Sequence, residues 1–136
     1  MSWRKKLFAL VPLLGLPGVV HADYPERPIR IIVPFAPGGG TDTLARMIGQ
    51  RLTQAWGKQV VIDNRTGANG VIAASLTAKG NPDGHTLLFV AIGHVINPLL
   101  LKKLPYDTER DFTAVSMTAS LPLLLAVHPS VQATSV

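Results

Sequence analysis

The stretch "PFAPGGGTDT", Pro34 to Thr43, sets three consecutive glycines between a segment with strand character and one with helix character. Glycine loses more conformational freedom on folding than any other residue, so a cluster inside a junction needs a reason. Either the chain needs dihedrals that other residues avoid, or something must come very close to the backbone. Upstream, "IRIIVPF" at 29–35 is rich in β-branched and aromatic residues and predicts a buried strand. Downstream, Leu44, Ala45, Ile48, Leu52, Ala55 and Trp56 recur at helical spacing. Arg46, Gln50, Arg51 and Gln54 fall between them, and Gly57 supplies the stop.

The same grammar repeats further along. "QVVID" at 59–63 predicts a second strand, and "NRTGANG" at 64–70 a second glycine-bearing loop. "VIAASLTAKG" predicts a second helix closed by Gly80, "NPDG" at 81–84 a turn, and "TLLFVAI" at 86–92 a third strand. Short alternation of strand and helix predicts βαβ units and a mainly parallel sheet, an α/β class. From Pro98 onward the pattern changes to the polar "LPYDTERDF" and then two apolar runs at 113–118 and 123–128. A lobe boundary is placed near 98–105.

Composition narrows the function. The chain has 136 residues, no cysteine, and 13 Lys and Arg against 8 Asp and Glu. Disulfides and thiol chemistry are therefore excluded. Arg4, Lys5 and Lys6 precede an uncharged run from Leu7 to Val20, and Val20-His21-Ala22 offers a cleavage site. This predicts a secretory leader over residues 1–22, cleaved after Ala22, and a periplasmic destination. A membrane anchor would need about 20 apolar residues, and this run is shorter and broken by Pro12 and Pro17. Without the leader the balance falls to 10 basic against 8 acidic residues, with no basic stripe for nucleic acid. The ending, "LPLLLAVHPSVQATSV", reads as the approach to a helix that does not follow, which points to part of a longer chain.

In an open parallel sheet, ligands settle beyond the carboxyl ends of the strands. Loops 37–42 and 64–70 both belong to that edge, and both run into helix N-termini, where unpaired amides favour an anion. Other motifs fail. Gly40 is followed by Thr41-Asp42 rather than the Lys-Ser/Thr of a P-loop, and Thr43 stands where a dinucleotide fingerprint has its third glycine. No Gly-x-Ser-x-Gly elbow exists, and His21, His85, His94 and His128 lack metal-ligand spacing, so neither metal nor cofactor is expected. Asn64-Arg65-Thr66 matches a glycosylation acceptor. Asp42 reads more simply as a helix-capping carboxylate than as a ligand contact, because a carboxylate aimed into an anion site would repel its ligand. Asn97-Pro98 reads as the end of a turn and His94 as a structural histidine. On these local signals, turn chemistry and an anion site remain equal readings of the two loops.

The blocks "YPERPIRIIVPFAPGGGTDTLAR", "VVIDNRTGANG", "NPDGHTLLF", "HVINPLLLKKLPYDTERDF" and "HPSV" resemble the Bug-type periplasmic substrate-binding proteins of tripartite tricarboxylate transporters. The resemblance runs from about Tyr24 to the last residue and covers the N-terminal part of such proteins. It implies a Venus-flytrap binding protein, not an enzyme, with two α/β lobes hinged around a cleft. The first lobe would occupy 23–100, incomplete, and the second would begin at 101–136. Such proteins capture small carboxylates (dicarboxylates, tricarboxylates, acidic amino acids or aromatic acids) and deliver them to a membrane permease. The resemblance implies a carboxylate held on backbone amides, helped by ordered waters, by Pro37, Gly38, Gly39, Gly40, Thr41 and Asp42 in the first loop. Gly67, Ala68, Asn69 and Gly70 would hold it from the second, with Phe35 and the stretch His94 to Asn97 lining the cleft. Thr66 stands where the family favours proline, Gly93 where many members carry a hydroxyl residue, and Ala36 where proline is frequent. Two other readings stand beside this one: a truncated, non-functional remnant of such a protein, and a phosphate- or nucleotide-binding α/β enzyme domain. The second would need a lysine, a metal ligand or a third glycine near Gly40.

Overall fold

A computed structural model of the chain describes residues 23–120, 122, 125–128 and 130–132. The expected leader at 1–22 lies outside the described residues, as do residues 133–136 and parts of the apolar runs after 120. The elements run β1 (Ile29–Val33), α1 (Gly40–Trp56), β2 (Val60–Asn64), a 3₁₀ turn (Ala68–Gly70), α2 (Val71–Ala78), β3 (Thr86–Leu88) and α3 (Gly93–Leu100). The three strands form one parallel sheet in the order β2-β1-β3. Ile29 pairs with Val60 on one side, and Arg30 with Thr86 on the other.

This order follows from the chemistry of the strands. β1 is the apolar one, with Ile29, Ile31, Ile32 and Val33 all buried, so it takes the centre. Ile29, Ile31 and Val33 share one face with Ala45 of α1, flanked by Val60, Ile62, Leu87 and Phe89. The single polar residue of the strand, Arg30, is bonded to Asp63 on β2. Gly49 of α1 stands where a Cβ would come within 3.1 Å of Ile62, so its bareness lets the helix settle onto β2. The chain leaves β1 toward β2 and then returns past β1 to β3. Right-handed crossovers therefore place α1 and α2 on opposite faces of the sheet. The reversal also makes the carboxyl ends of β1 and β3 a topological switch point.

Several boundaries differ from the sequence reading, and β2 is shifted by one residue, to Val60–Asn64. β1 ends at Val33 rather than residue 35, and α1 begins at Gly40, four residues ahead of its first apolar position. α2 stops at Ala78 with Lys79 as its cap, and Gly80 donates back to Thr77. The largest difference concerns 86–92, where β3 stops at Leu88. Phe89 makes one last bond to Ile32, and the chain then turns into α3, which the sequence did not announce.

At the far end of the sheet, Tyr24 ties down the segment ahead of β1. Its hydroxyl donates to the Gly84 carbonyl at 2.7 Å, and its ring meets Trp56 and His85 edge-on at 5.9 and 5.1 Å. Beyond α3, residues 101–120 carry no helix or strand, but Tyr106 is buried and stacks on His94. Phe112 meets both rings edge-on. Among the described residues no helix is long and apolar enough to cross a membrane.

Candidate functional site

The two glycine loops lie side by side at the carboxyl edge of the sheet. A Cβ built on Gly70 of the second loop would come 3.2 Å from Pro34 at the start of the first. Arg65, entering the second loop, donates its amide to the carbonyl of Val33 at 2.8 Å.

The first loop is fixed from below by a polar network. Asp42, on the first turn of α1, is only 2% exposed. Its Oδ2 accepts from the Gly38 amide and from Arg46 Nε, both at 2.9 Å, and its Oδ1 accepts from Asn64 Nδ2 at 2.9 Å. Arg46 also donates to Asn64 Oδ1, and Asn64 Nδ2 donates to the Phe35 carbonyl. The Arg46 guanidinium, then the Gly38 amide and Asn64, hold the Asp42 carboxyl well below the usual carboxylate range. Two expectations change here. Asp42 does not cap the helix, since the N-cap is Gly39 and no side chain caps it. The Gly38 amide, expected in the anion cradle, is already committed to Asp42. Asp42 lies inside the helix because α1 begins at Gly40, and the Gly38 amide reaches it from a residue with a left-handed φ of +85°.

What remains open in the first loop are the amides at the start of α1, on Gly40 and Thr41, which have no partner inside the helix. A Cβ on Gly40 would meet nothing within 4 Å, and one on Gly39 only the Ala36 carbonyl at 3.6 Å. The approach to these amides is clear. Asp42 offers no opposing field, because its charge is matched by Arg46.

The second loop is held differently. Gly67, Ala68, Asn69 and Gly70 all have positive φ, at 123°, 47°, 51° and 87°. Two of these are not glycine, so the turn is held against a local conformational cost. Asn97 supplies the restraint. It is 1% exposed, accepts from Asn69 Nδ2 at 2.7 Å, and donates to the Asn69 carbonyl at 3.0 Å. Asn97 is thus a positioning residue rather than a lining one, and the sequence signal for it was only a polar residue ahead of Pro98. Gly93 has a related role, since a Cβ there would come 3.1 Å from the Asn69 amide.

A cavity of about 390 Å³ opens at the switch point between β1 and β3. Of the expected residues, Phe35, Asn69, Gly70 and His94 line it, while Pro37, Gly38, Gly39, Gly40, Thr41 and Ala68 do not. Burial lowers the pKa of His94, which sits between the cavity and the Tyr106 ring. Sequence reasoning missed Asn64 and Arg46 as parts of the site. The amide of Asn64, read as a glycosylation acceptor, is fully engaged with Phe35, Asp42 and Arg46. Among the described residues no cluster of His, Asp or Glu could hold a metal ion.

Comparison with known proteins gives this geometry a setting. Residues 44–136 match the model of the tripartite tricarboxylate transporter family receptor. The chain is 41% identical over 121 residues to protein BugT of Bordetella pertussis, covering 87% of this chain and 37% of BugT. It is 43% identical over 104 residues to a UPF0065 protein from the tcbD-tcbE intergenic region of Pseudomonas sp. strain P51, covering 76% and 31%. Among solved structures it resembles the periplasmic binding protein BugD, with a TM-score of 0.62 and 38% identity over 65% of this chain and 30% of that one. Rpa4515 of R. palustris, solved with adipate, gives 0.61 and 44% over 64% and 29%. MatC of Rhodopseudomonas palustris, solved with bound malate, gives 0.61 and 41% over 66% and 31%. The chain thus spans about a third of the length of these relatives. They are receptors and binding proteins, not enzymes, and this chain belongs to the tripartite tricarboxylate transporter receptor family.

Proposed function

We propose that this chain forms the carboxylate-gripping part of a periplasmic solute receptor that delivers its ligand to a membrane permease. The observation that carries this reading is the pair of adjoining loops at the carboxyl edge of the sheet. One presents open helix-start amides behind bare glycines, and the other is held in a costly turn by Asn97. The carboxylate would rest on the amides of Gly40 and Thr41 from the first loop and of Ala68 and Asn69 from the second. Asp42, Arg46, Asn64 and Asn97 would hold the cradle without touching the ligand. Adipate and malate in the solved relatives are both carboxylates, in keeping with this chemistry. In this reading residues 1–22 direct export and are removed after Ala22, residues 23–100 belong to the first lobe, and residues from 101 lead into a second. No step of chemistry is required of the protein beyond binding and release.

Calorimetric titration of the full-length protein with a panel of carboxylates, each beside its uncharged amide, tests the reading. Carboxylates are expected to bind in the micromolar range or tighter and the amides at least tenfold more weakly. Equal affinity for acid and amide would remove the anion cradle from the site.

A further inference from the structure

Resting on the receptor reading above for what the second glycine loop does, we infer that Tyr106 and Phe112 are positioning residues for that loop, acting on it through His94 and α3.

The two rings are brought together locally. In "YDTERDF", 106–112, the Asp107 carboxylate accepts from the amides of Glu109 and Arg110 at 2.9 and 3.0 Å. Asp111 closes the knot from the other side. Its carboxylate accepts from the Asp107 amide at 2.8 Å, and its own amide donates to the Asp107 carbonyl at 3.0 Å. An aspartate that bonds amides two and three residues on folds a chain without helix or strand. The residues at the two ends of the knot, Tyr106 and Phe112, have ring centroids 5.6 Å apart. Both rings meet His94, with Tyr106 buried and stacked at 5.8 Å and Phe112 edge-on at 4.9 Å.

Helix α3 depends on such contacts. It has eight residues, no side chain caps its start, and Pro98 within it has no N–H to donate. So short a helix is marginal alone and takes its place from what it packs against. On its other side α3 meets Asn69 at two points, about one turn apart. A Cβ on Gly93 would come 3.1 Å from the Asn69 side-chain amide, and Asn97 shares two hydrogen bonds with Asn69. His94 lies in sequence between these two points, so rings that hold His94 hold Gly93 and Asn97 as well. Ala68 and Asn69 carry positive φ at a local cost, and such a turn keeps its shape only while its surroundings enforce it. The restraint therefore runs from the two rings through α3 to the loop. The first loop is held separately, by Asp42, Arg46 and Asn64.

The test is amide hydrogen exchange in the full-length protein, read by NMR at one amide in each loop. Gly70 donates to the Gly67 carbonyl inside the second loop, and Gly38 donates to Asp42 inside the first. Tyr106→Ala is expected to speed exchange at Gly70 about tenfold, the size that follows from losing two aromatic contacts, and to leave Gly38 unchanged. Tyr106→Phe keeps both ring contacts and should restore the native rate at Gly70. In an Asn97→Leu background, where the link to Asn69 is already cut, Tyr106→Ala should add less than about twofold. If Tyr106→Ala does not fold, Phe112→Leu is judged by the same two amides. Equal acceleration at Gly70 and Gly38 would mean that the rings serve general stability, and overturns the inference. An unchanged rate at Gly70, or a full further effect in the Asn97→Leu background, overturns it too. None of these results bears on the receptor reading, because the measurement needs no ligand.

Discussion

Gly39 and Gly40 of the first loop serve a different purpose from Gly38 beside them, at a φ of +85°, and from the glycines of the second loop. In the first, Gly39 has an ordinary extended backbone and Gly40 begins a helix, so neither position demands glycine on dihedral grounds. What their bareness provides is access. Gly39 even gives up the capping side chain that a serine or aspartate would supply at that position. In the second loop, Gly67 and Gly70 sit at φ values that L side chains rarely adopt. There the glycines serve the path of the chain itself. A run of glycines in a sequence thus conceals two different demands, and substitution separates them.

The sharpest separation comes from Gly39→Val. The backbone at this position accepts valine, and the nearest heavy atom to its Cβ is at 3.6 Å, so the melting temperature should stay within about 2 °C. Covering the amides of Gly40 and Thr41 should weaken carboxylate binding by about two to four powers of ten, at about 1.5–3 kcal/mol for each charge-assisted bond. A large loss of melting temperature would show that the first loop is as conformationally demanding as the second.

Next in size is Asn97→Leu, which removes both hydrogen bonds between buried Asn97 and Asn69 and should cost about 1–3 kcal/mol in chemical denaturation. Unchanged stability would mean that the positive-φ turn holds itself. Gly70→Ala should cost about 1–2 kcal/mol, because alanine resists a φ of +87° and its Cβ would crowd Pro34. Its effect should appear in stability first and in affinity second, the reverse of Gly39→Val.

The smallest expected effect is a change in pH profile. The Asp42 carboxyl titrates lower in the fold than its unperturbed value of 3.8. Its stabilising contribution is therefore full above that value and drains away as pH falls below it. Asp42→Asn should lower stability at neutral pH and flatten the decline below about pH 4, read from melts at a series of pH values. An unaltered acid limb would place the restraint of the first loop elsewhere.

Most of this framework could be read directly from the chain. Strand β1 announced itself through its β-branched, largely apolar run, α1 through its spacing and Gly57, and both loops through glycine between dissimilar segments. Helix α3 could not be read. "TLLFVAI" has the composition of one continuous strand, and Pro98 argues against a helix. What makes residues 93–100 helical is tertiary: the Asn97 pairing with Asn69, and His94 lodged among Tyr106 and Phe112. The inward turn of the Gly38 amide was hidden for a similar reason. It depends on a partner four residues later whose own orientation is set by Arg46 and by Asn64 from another strand. Periodicity reports which face is apolar, but it is silent on pairings between polar groups distant in sequence.

Tyr24 has a consequence for how the sheet comes together. Its bond to Gly84 joins positions 60 residues apart, and the sheet it secures contains only parallel neighbours, so no hairpin can form early and guide the rest. Every ladder bond of β1 waits for a crossover to close, which gives the sheet a high contact order and a slow, concerted assembly. The glycine loops at one end and the Tyr24 clasp at the other hang from the same central strand. Backbone amides of Ile31 and Val33 should therefore exchange with solvent only through opening of the whole unit, and a ligand that binds the closed form should slow their exchange even though it touches neither.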